Sequence, residues 1–412
     1  GGQPLSASNT LRGGDSVTGL TGVLTFTWAG NAASGNAWRV RPQNALGASL
    51  PNFAATNPRP TAAPNVGGAL KVASFNLLNF FNTFSGCTFG VGGAAADCRG
   101  AGNQAEFDRQ ATKTVAAIKA LDADVLGVIE MENDGYGASS AIQELVTRVN
   151  AVVGANTYAF IDFDARTGVA NAGGTDAIKV GILYKRAKLT PQETFADVAA
   201  VHNRNPLAQT FRDARGAKFT VVINHFKSKG CDGASGEDLD QGDGQGCFNA
   251  VRVGQAAALL GFLDEVRTAN DEPDVLLLGD FNAYAKEDPI TLLVAAGLVN
   301  LTLKYGGEAA YSYAFDGQWG YLDHALATAS AAQQVTGQAD FHINSDEPSV
   351  LDYNTDFKTA GQVASLYAPD AYRTSDQDPV LVGLQLKSPG LPIKLPPIPT
   401  WLQDLLDRLF GR

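Results

Sequence analysis

Hydrophobic positions in this chain form two kinds of run. Between residues 70 and 386, short and almost wholly apolar stretches alternate with longer segments in which apolar residues recur every three or four positions. The short runs predict strands at Leu70–Leu78, Asp124–Ile129, Ala177–Tyr184, Lys218–Asn224, Asp274–Leu278, Tyr321–Ala327 and Val380–Leu386. The periodic segments predict helices at Gln104–Leu121, Ala141–Val153 and Asn249–Val266. Strands without a polar face need cover on both sides. The pattern therefore predicts an α/β fold, a four-layered sandwich of two packed mixed sheets flanked by helices.

The ends of the chain read differently. From Ser16 to Val40 the alternation of Val17, Leu20, Val23, Leu24, Phe26 and Trp28, a Gly/Ala/Asn turn and then Trp38 and Val40 predicts a β-hairpin or part of a small barrel. Pro51 to Gly68 reads as a linker or wrapping strand, so the expected division is residues 1–66, 67–387 and 388–412. In the last part a Pro-rich stretch, Pro389 to Pro399, precedes an amphipathic helix from Trp401 to Phe410. Docking on the domain is its expected use, ahead of membrane contact.

With 412 residues, 45% hydrophobic and 18% charged, the chain can bury a large core. Its net charge of −11 excludes long-range attraction of a polyanion, so any nucleic-acid contact must be local or metal-assisted. The cysteines form two close pairs in loop sequence, Cys87 with Cys98 and Cys231 with Cys247, without metal-type spacing. They read as two disulfides of an exported protein. No apolar run is long enough to cross a membrane, and no signal peptide is visible; an upstream export signal is the expectation.

Oxygen-bearing side chains stand at the ends of the apolar strands: Asn76, Glu130, Asp280 with Asn282, Asp323 and Asp376. Each alone reads as a turn or cap. Together they have the chemistry that phosphodiester hydrolysis needs, because a divalent cation held by hard oxygens relieves both the charge that repels hydroxide and the poor leaving group. Glu130 is the first expected ligand, with Asn76 beside it and Asp376 as a further carboxylate. Asp280 and Asn282 suit orienting a water and binding a phosphate oxygen, and His225 suits neutralising developing charge or protonating the leaving oxygen. Lys227 and Lys229, alternating with Phe226 and Ser228, would share a strand face for phosphate contact or simply be polar surface. Glu132 and Asp134 read as a calcium-stabilised turn or a solvated loop, His324 as structural, and Arg109 as the partner of a buried acid. The acidic loop between Cys231 and Cys247 suits solvation slightly better than calcium.

The ordered motifs Phe75-Asn76, Ile129-Glu130, Asn224-His225, Gly279-Asp280-Phe281-Asn282, Asp323-His324 and Ser375-Asp376-Gln377-Asp378-Pro379 resemble the endonuclease/exonuclease/phosphatase superfamily. Phe84-Ser85-Gly86-Cys87, Cys98-Arg99-Gly100, Met131-Glu132-Asn133-Asp134 and His225-Phe226-Lys227-Ser228-Lys229-Gly230 resemble its extracellular bacterial nucleases. That resemblance implies that Asp323 orients a catalytic imidazole or stabilises the phosphorus oxygens. It also implies that residues 1–66 end an oligonucleotide-binding-type barrel, and that Gln377 stands where a proton-accepting histidine is expected. A carboxamide cannot take a proton near neutral pH. The expected protein is a monomeric, secreted or periplasmic bacterial endonuclease that uses magnesium or manganese, with calcium as a further candidate ion, and acts on DNA or RNA with turnover reduced by Gln377. Alternatives are a sphingomyelinase, phospholipase or phosphatase, or a silent DNA-binding module.

Overall fold

A computed structural model describes residues 4–28, 36–43 and 51–387, so the C-terminal amphipathic segment lies outside the described residues. Two six-stranded sheets pack face to face. One orders its strands as Val335–Asp340, Val380–Leu384, Leu70–Phe80, Val125–Glu132, Ile178–Lys185 and Tyr158–Phe160. The other runs Val299–Asn300, Asp323–Ala327, Val275–Asp280, Lys218–His225, Leu207–Asp213 and Leu189–Ala196. Each sheet has one parallel pair at its centre, Leu70–Phe80 with Val125–Glu132 and Lys218–His225 with Val275–Asp280. All four of those strands end on the same edge of the sandwich, where the candidate residues lie.

The uninterrupted apolar strands are explained by what covers their faces. Along Val275–Asp280, Leu276 and Leu278 enter the core between the sheets, while Val275 and Leu277 pack outward. Their outer cover is the helix Asn249–Asn270, through Leu259 and Leu263, and the helix Asp288–Ala295, through Ile290. The helices Gln104–Leu121 and Ala141–Val153 cover the other sheet through Phe107, Ile118 and Leu145. Both start where predicted because a side chain caps the first turn: Asn103 accepts from the Glu106 amide and Ser140 from the Gln143 amide.

Residues 4–66 make specific contacts with the sandwich. The hairpin Gly22–Thr27 with Ala37–Pro42 is present, and Ser16–Val17 pairs with Phe53–Ala54, but the described residues close no barrel. Arg12 and Arg59 instead reach into the sandwich and share Glu347, at 2.9 and 2.7 Å. Val66 belongs to the core under the first helix layer. Residues 51–66 therefore wrap the domain. Both disulfides are formed, Cys87–Cys98 and Cys231–Cys247.

Candidate active site

Backbone geometry places the chemistry. In Val125–Glu132 the ladder shifts register, and Glu130 takes a left-handed φ of +61° that turns its carboxylate over the sheet edge. Leu78 and Asn79 on the neighbouring strand are left-handed too, at +52° and +57°. The Asn79 amide donates to Glu130 Oε2 at 2.9 Å. Gly279 is required where it stands: at φ +136° a Cβ would lie 2.1 Å from the Asn224 carbonyl oxygen. That close approach brings His225 and Asp280, direct register partners, to the same edge.

Glu130, His225 and Asp280 offer ligand atoms that lie within 4.8 Å of one another, and they are the only such metal-capable group among the described residues. Asn76 bridges the carboxylates, its Nδ2 donating to Glu130 Oε1 at 3.1 Å and to Asp280 Oδ2 at 3.3 Å. Its own side-chain carbonyl oxygen accepts from the Leu78 amide, so Asn76 braces the two acids. Gln377 Nε2 donates to Asp280 Oδ2 at 3.0 Å, while Gln377 Oε1 is buried without a hydrogen-bond partner. Asn282 is fixed by its amide N–H to Asp280 Oδ1 and by Nδ2 to the Phe226 carbonyl. Asp323 pairs in register with Asp280 and accepts from Ser312 Oγ at 2.8 Å.

The electrostatics are those of too many acids in one dry place. Burial, with repulsion from Asp376 and Asp280, pushes Glu130 up to about 7. Burial pushes Asp280 up to about 6 against the hydrogen bonds from Gln377 and Asn282. Asp323 is raised well above the carboxylate range by burial and by Asp280, and Asp376 is raised by burial. This arrangement suits a divalent cation: hard oxygens converge and repel one another, and the charge of buried Arg204 offsets them only in part. Glu130 and Asp280 would hold it, with His225 Nε2 within reach and Asp376 close enough to act on Glu130 through its charge.

His225 is held in its neutral form. Burial, followed by the charges of Arg204 and Arg99, lowers its pKa well below the ordinary value. The neutral ring offers a lone pair. Nothing in the sequence singled out Arg204, whose buried guanidinium donates to the carbonyls of His225 and Phe226 and lies 3.5 Å from Asp176. Its signal is purely tertiary.

Several expectations need correction. The strand ends at His225, so Lys227 and Lys229 do not share a strand face. Lys229 is bound to Glu287 at 2.6 Å and to the Gln245 carbonyl, whereas Lys227 lies over the Phe248 ring. Arg109 binds the carbonyls of Tyr353 and Val363 and stacks on Tyr367; its charge acts on buried Glu106, but among the described residues no acid is its hydrogen-bond partner. Glu132 accepts from the amides of Asn82 and Thr83, and Asp134 from the Ala141 amide, so both brace loops. His324 is buried and bonded to the Ala283 carbonyl, as its structural reading expects. In the disulfide-closed loop Asp240 and Asp243 cap their own turns.

Residues 73–346 match the Endonuclease/Exonuclease/phosphatase family. Among solved structures, the mannosyl-6-phosphatase Bt3783 of Bacteroides thetaiotaomicron is 14% identical, with 77% of this chain and 99% of that one covered and a TM-score of 0.45. The human Nocturnin catalytic domain is 14% identical over 77% of this chain and 94% of its own, with a TM-score of 0.46. TDP2 of D. rerio, solved with a single-strand DNA product, is 15% identical over 76% and 97%, with a TM-score of 0.45. No curated protein matches the chain.

Proposed function

Because the chain belongs to the endonuclease/exonuclease/phosphatase family, whose members are metal-dependent phosphoester hydrolases, we propose that it is an exported nuclease of that family held at low turnover by Gln377. The observation that carries this reading is the convergence of Glu130, His225 and Asp280 around one point, with the Gln377 amide bonded to Asp280 and its carbonyl oxygen orphaned beside them. A divalent cation at Glu130 and Asp280, magnesium or manganese by their hard oxygens, supplies Lewis-acid screening of the phosphate and its leaving oxygen.

The chain's own groups do the rest. Asn282, pinned through its backbone and amide, and neutral His225 contact the non-bridging oxygens. Asp280 orients whatever occupies position 377 through the hydrogen bond that Gln377 now donates to it, and Asp323, its register partner, backs it. Glutamine there orients a water by hydrogen bonding but cannot remove its proton. Positioned proton transfer contributes roughly 10²–10⁴ in rate, and that is the size of the deficit.

A lipid phosphodiester is the second reading, and one observation favours it. A groove of about 780 Å³ beside Tyr284 is lined by Phe26, Trp38, Phe315 and Trp319, all four exposed rings. The Gln377→His variant, assayed in magnesium against plasmid DNA, RNA, sphingomyelin vesicles and a phosphomonoester, separates the readings. Cleavage of the nucleic acids supports the nuclease; cleavage confined to sphingomyelin or the monoester contradicts it.

A further inference from the structure

We infer that Arg99, with Lys227, forms a basic rim that binds a substrate backbone phosphate next to the one being cleaved. The inference deepens the nuclease reading and rests on it. A chain of net charge −11 with four clustered site carboxylates needs local cations to admit a polyanion. Most of the nearby ones are committed. Arg204 is buried against two carbonyls and Asp176, and Lys229 is held by Glu287. Lys227 is partly exposed over Phe248 and forms no ion pair among the described residues.

Arg99 is placed by constraints on both sides. Cys98 ties it to buried Cys87. Gly100, at φ +75°, lies so close to the Asn79 carbonyl that a Cβ would be 2.0 Å from its oxygen, and Asn79 is the residue whose amide holds Glu130. One guanidinium nitrogen of Arg99 meets Asp176 at 3.3 Å, and the other Asp176 oxygen lies 3.5 Å from Arg204 beneath His225. The Arg99 side chain is still 39% exposed. A planar fork oriented by a carboxylate at one nitrogen, with its remaining N–H groups uncommitted among the described residues, is prepared for phosphate. The path Arg99–Asp176–Arg204 ends on the His225 carbonyl, which places Arg99 on that side of the site.

The test uses the full chain with Gln377 retained, so that binding is read at low turnover. Anisotropy of a fluorescein-labelled thymidine oligonucleotide is followed across a salt titration in magnesium buffer. Arg99→Ala is expected to weaken binding about tenfold and to reduce the slope of log K against log salt by about 0.7, the release expected for one single-strand phosphate contact. Asp176→Asn, which removes a competing negative charge, is expected to keep the slope and bind at least as tightly. A purely structural Arg99–Asp176 pair makes both variants weaken alike with unchanged slopes, and that result overturns the rim. Should Arg99→Ala fail to fold, Arg99→Lys carries the test: loss of the fork with retention of charge predicts roughly two- to fivefold weaker binding at constant slope, and no loss overturns the proposal. A native chain that binds no oligonucleotide at low salt overturns both the rim and the nuclease reading. Unchanged binding in Arg99→Ala, alongside DNA cleavage by Gln377→His, overturns the rim alone.

Discussion

Glu130 illustrates how much of the site is set by single residues. Its type was legible in the sequence as an acid closing an apolar strand; its left-handed backbone and the bulge that aims it were not, because both depend on pairing with a distant strand. Asn76 was legible beside Glu130, and the hydrogen bonds its amide gives to both acids were not. Asn76→Ala removes the donor shared by Glu130 and Asp280 and is expected to weaken magnesium or manganese binding about 10–100-fold by calorimetry, the usual cost of losing a supporting hydrogen bond at a metal site. The raised carboxylates also set a pH dependence. Glu130, Glu272 and Asp340 are each held near about 7 by burial, so between pH 6.5 and 7.5 the folded metal-free chain binds more protons than the unfolded one. Stability then falls as pH rises. The depressed imidazoles of His225 and His324 act mainly below this window, and Lys179, lowered to about 8, acts mainly above it. Urea midpoints in EDTA should drop across the window, and magnesium should restore more stability at the upper end. A flat profile contradicts the electrostatic description.

Among the elements, the helices Gln104–Leu121 and Ala141–Val153 were predicted on their observed bounds, since periodicity and side-chain caps are local signals. The strands Leu189–Ala196, Leu207–Asp213 and Val335–Asp340 were not predicted. Polar residues interrupt all three: Thr190, Gln192 and Glu193 in the first, Gln209 and Thr210 in the second, Thr336 and Gln338 in the third. Their pairing is decided by the sheet they join. The wrapping segment depends on a feature of the same long-range kind, the buried ion cluster of Arg12, Arg59 and Glu347. Glu347→Ala leaves two guanidinium groups without their shared carboxylate and is expected to cost about 3–5 kcal/mol in urea unfolding. Glu308→Ala, which removes the partner of exposed Lys286, should change stability by less than about 1 kcal/mol. Equal effects of the two substitutions contradict the anchoring role of Glu347.

At the scale of the molecule, two sheets bring residues more than 200 positions apart in sequence to one edge; Asn76 donates to Asp280 across a separation of 204. The fold class and most of the acidic site could be read beforehand because strand-end chemistry is written locally. Arg204 and the setting of Arg99 could not, because their partners are backbone carbonyls and a carboxylate from other segments. Under the proposed function, position 377 is the point on which turnover depends. Its hydrogen bond to Asp280 is present, and proton acceptance is what glutamine lacks. The most direct measurement is therefore the rate of plasmid DNA cleavage by Gln377→His and by the native chain, each in magnesium and in EDTA. A gain of roughly 10²-fold or more, abolished by EDTA, is the predicted result; equal rates in magnesium for the two chains would contradict the account.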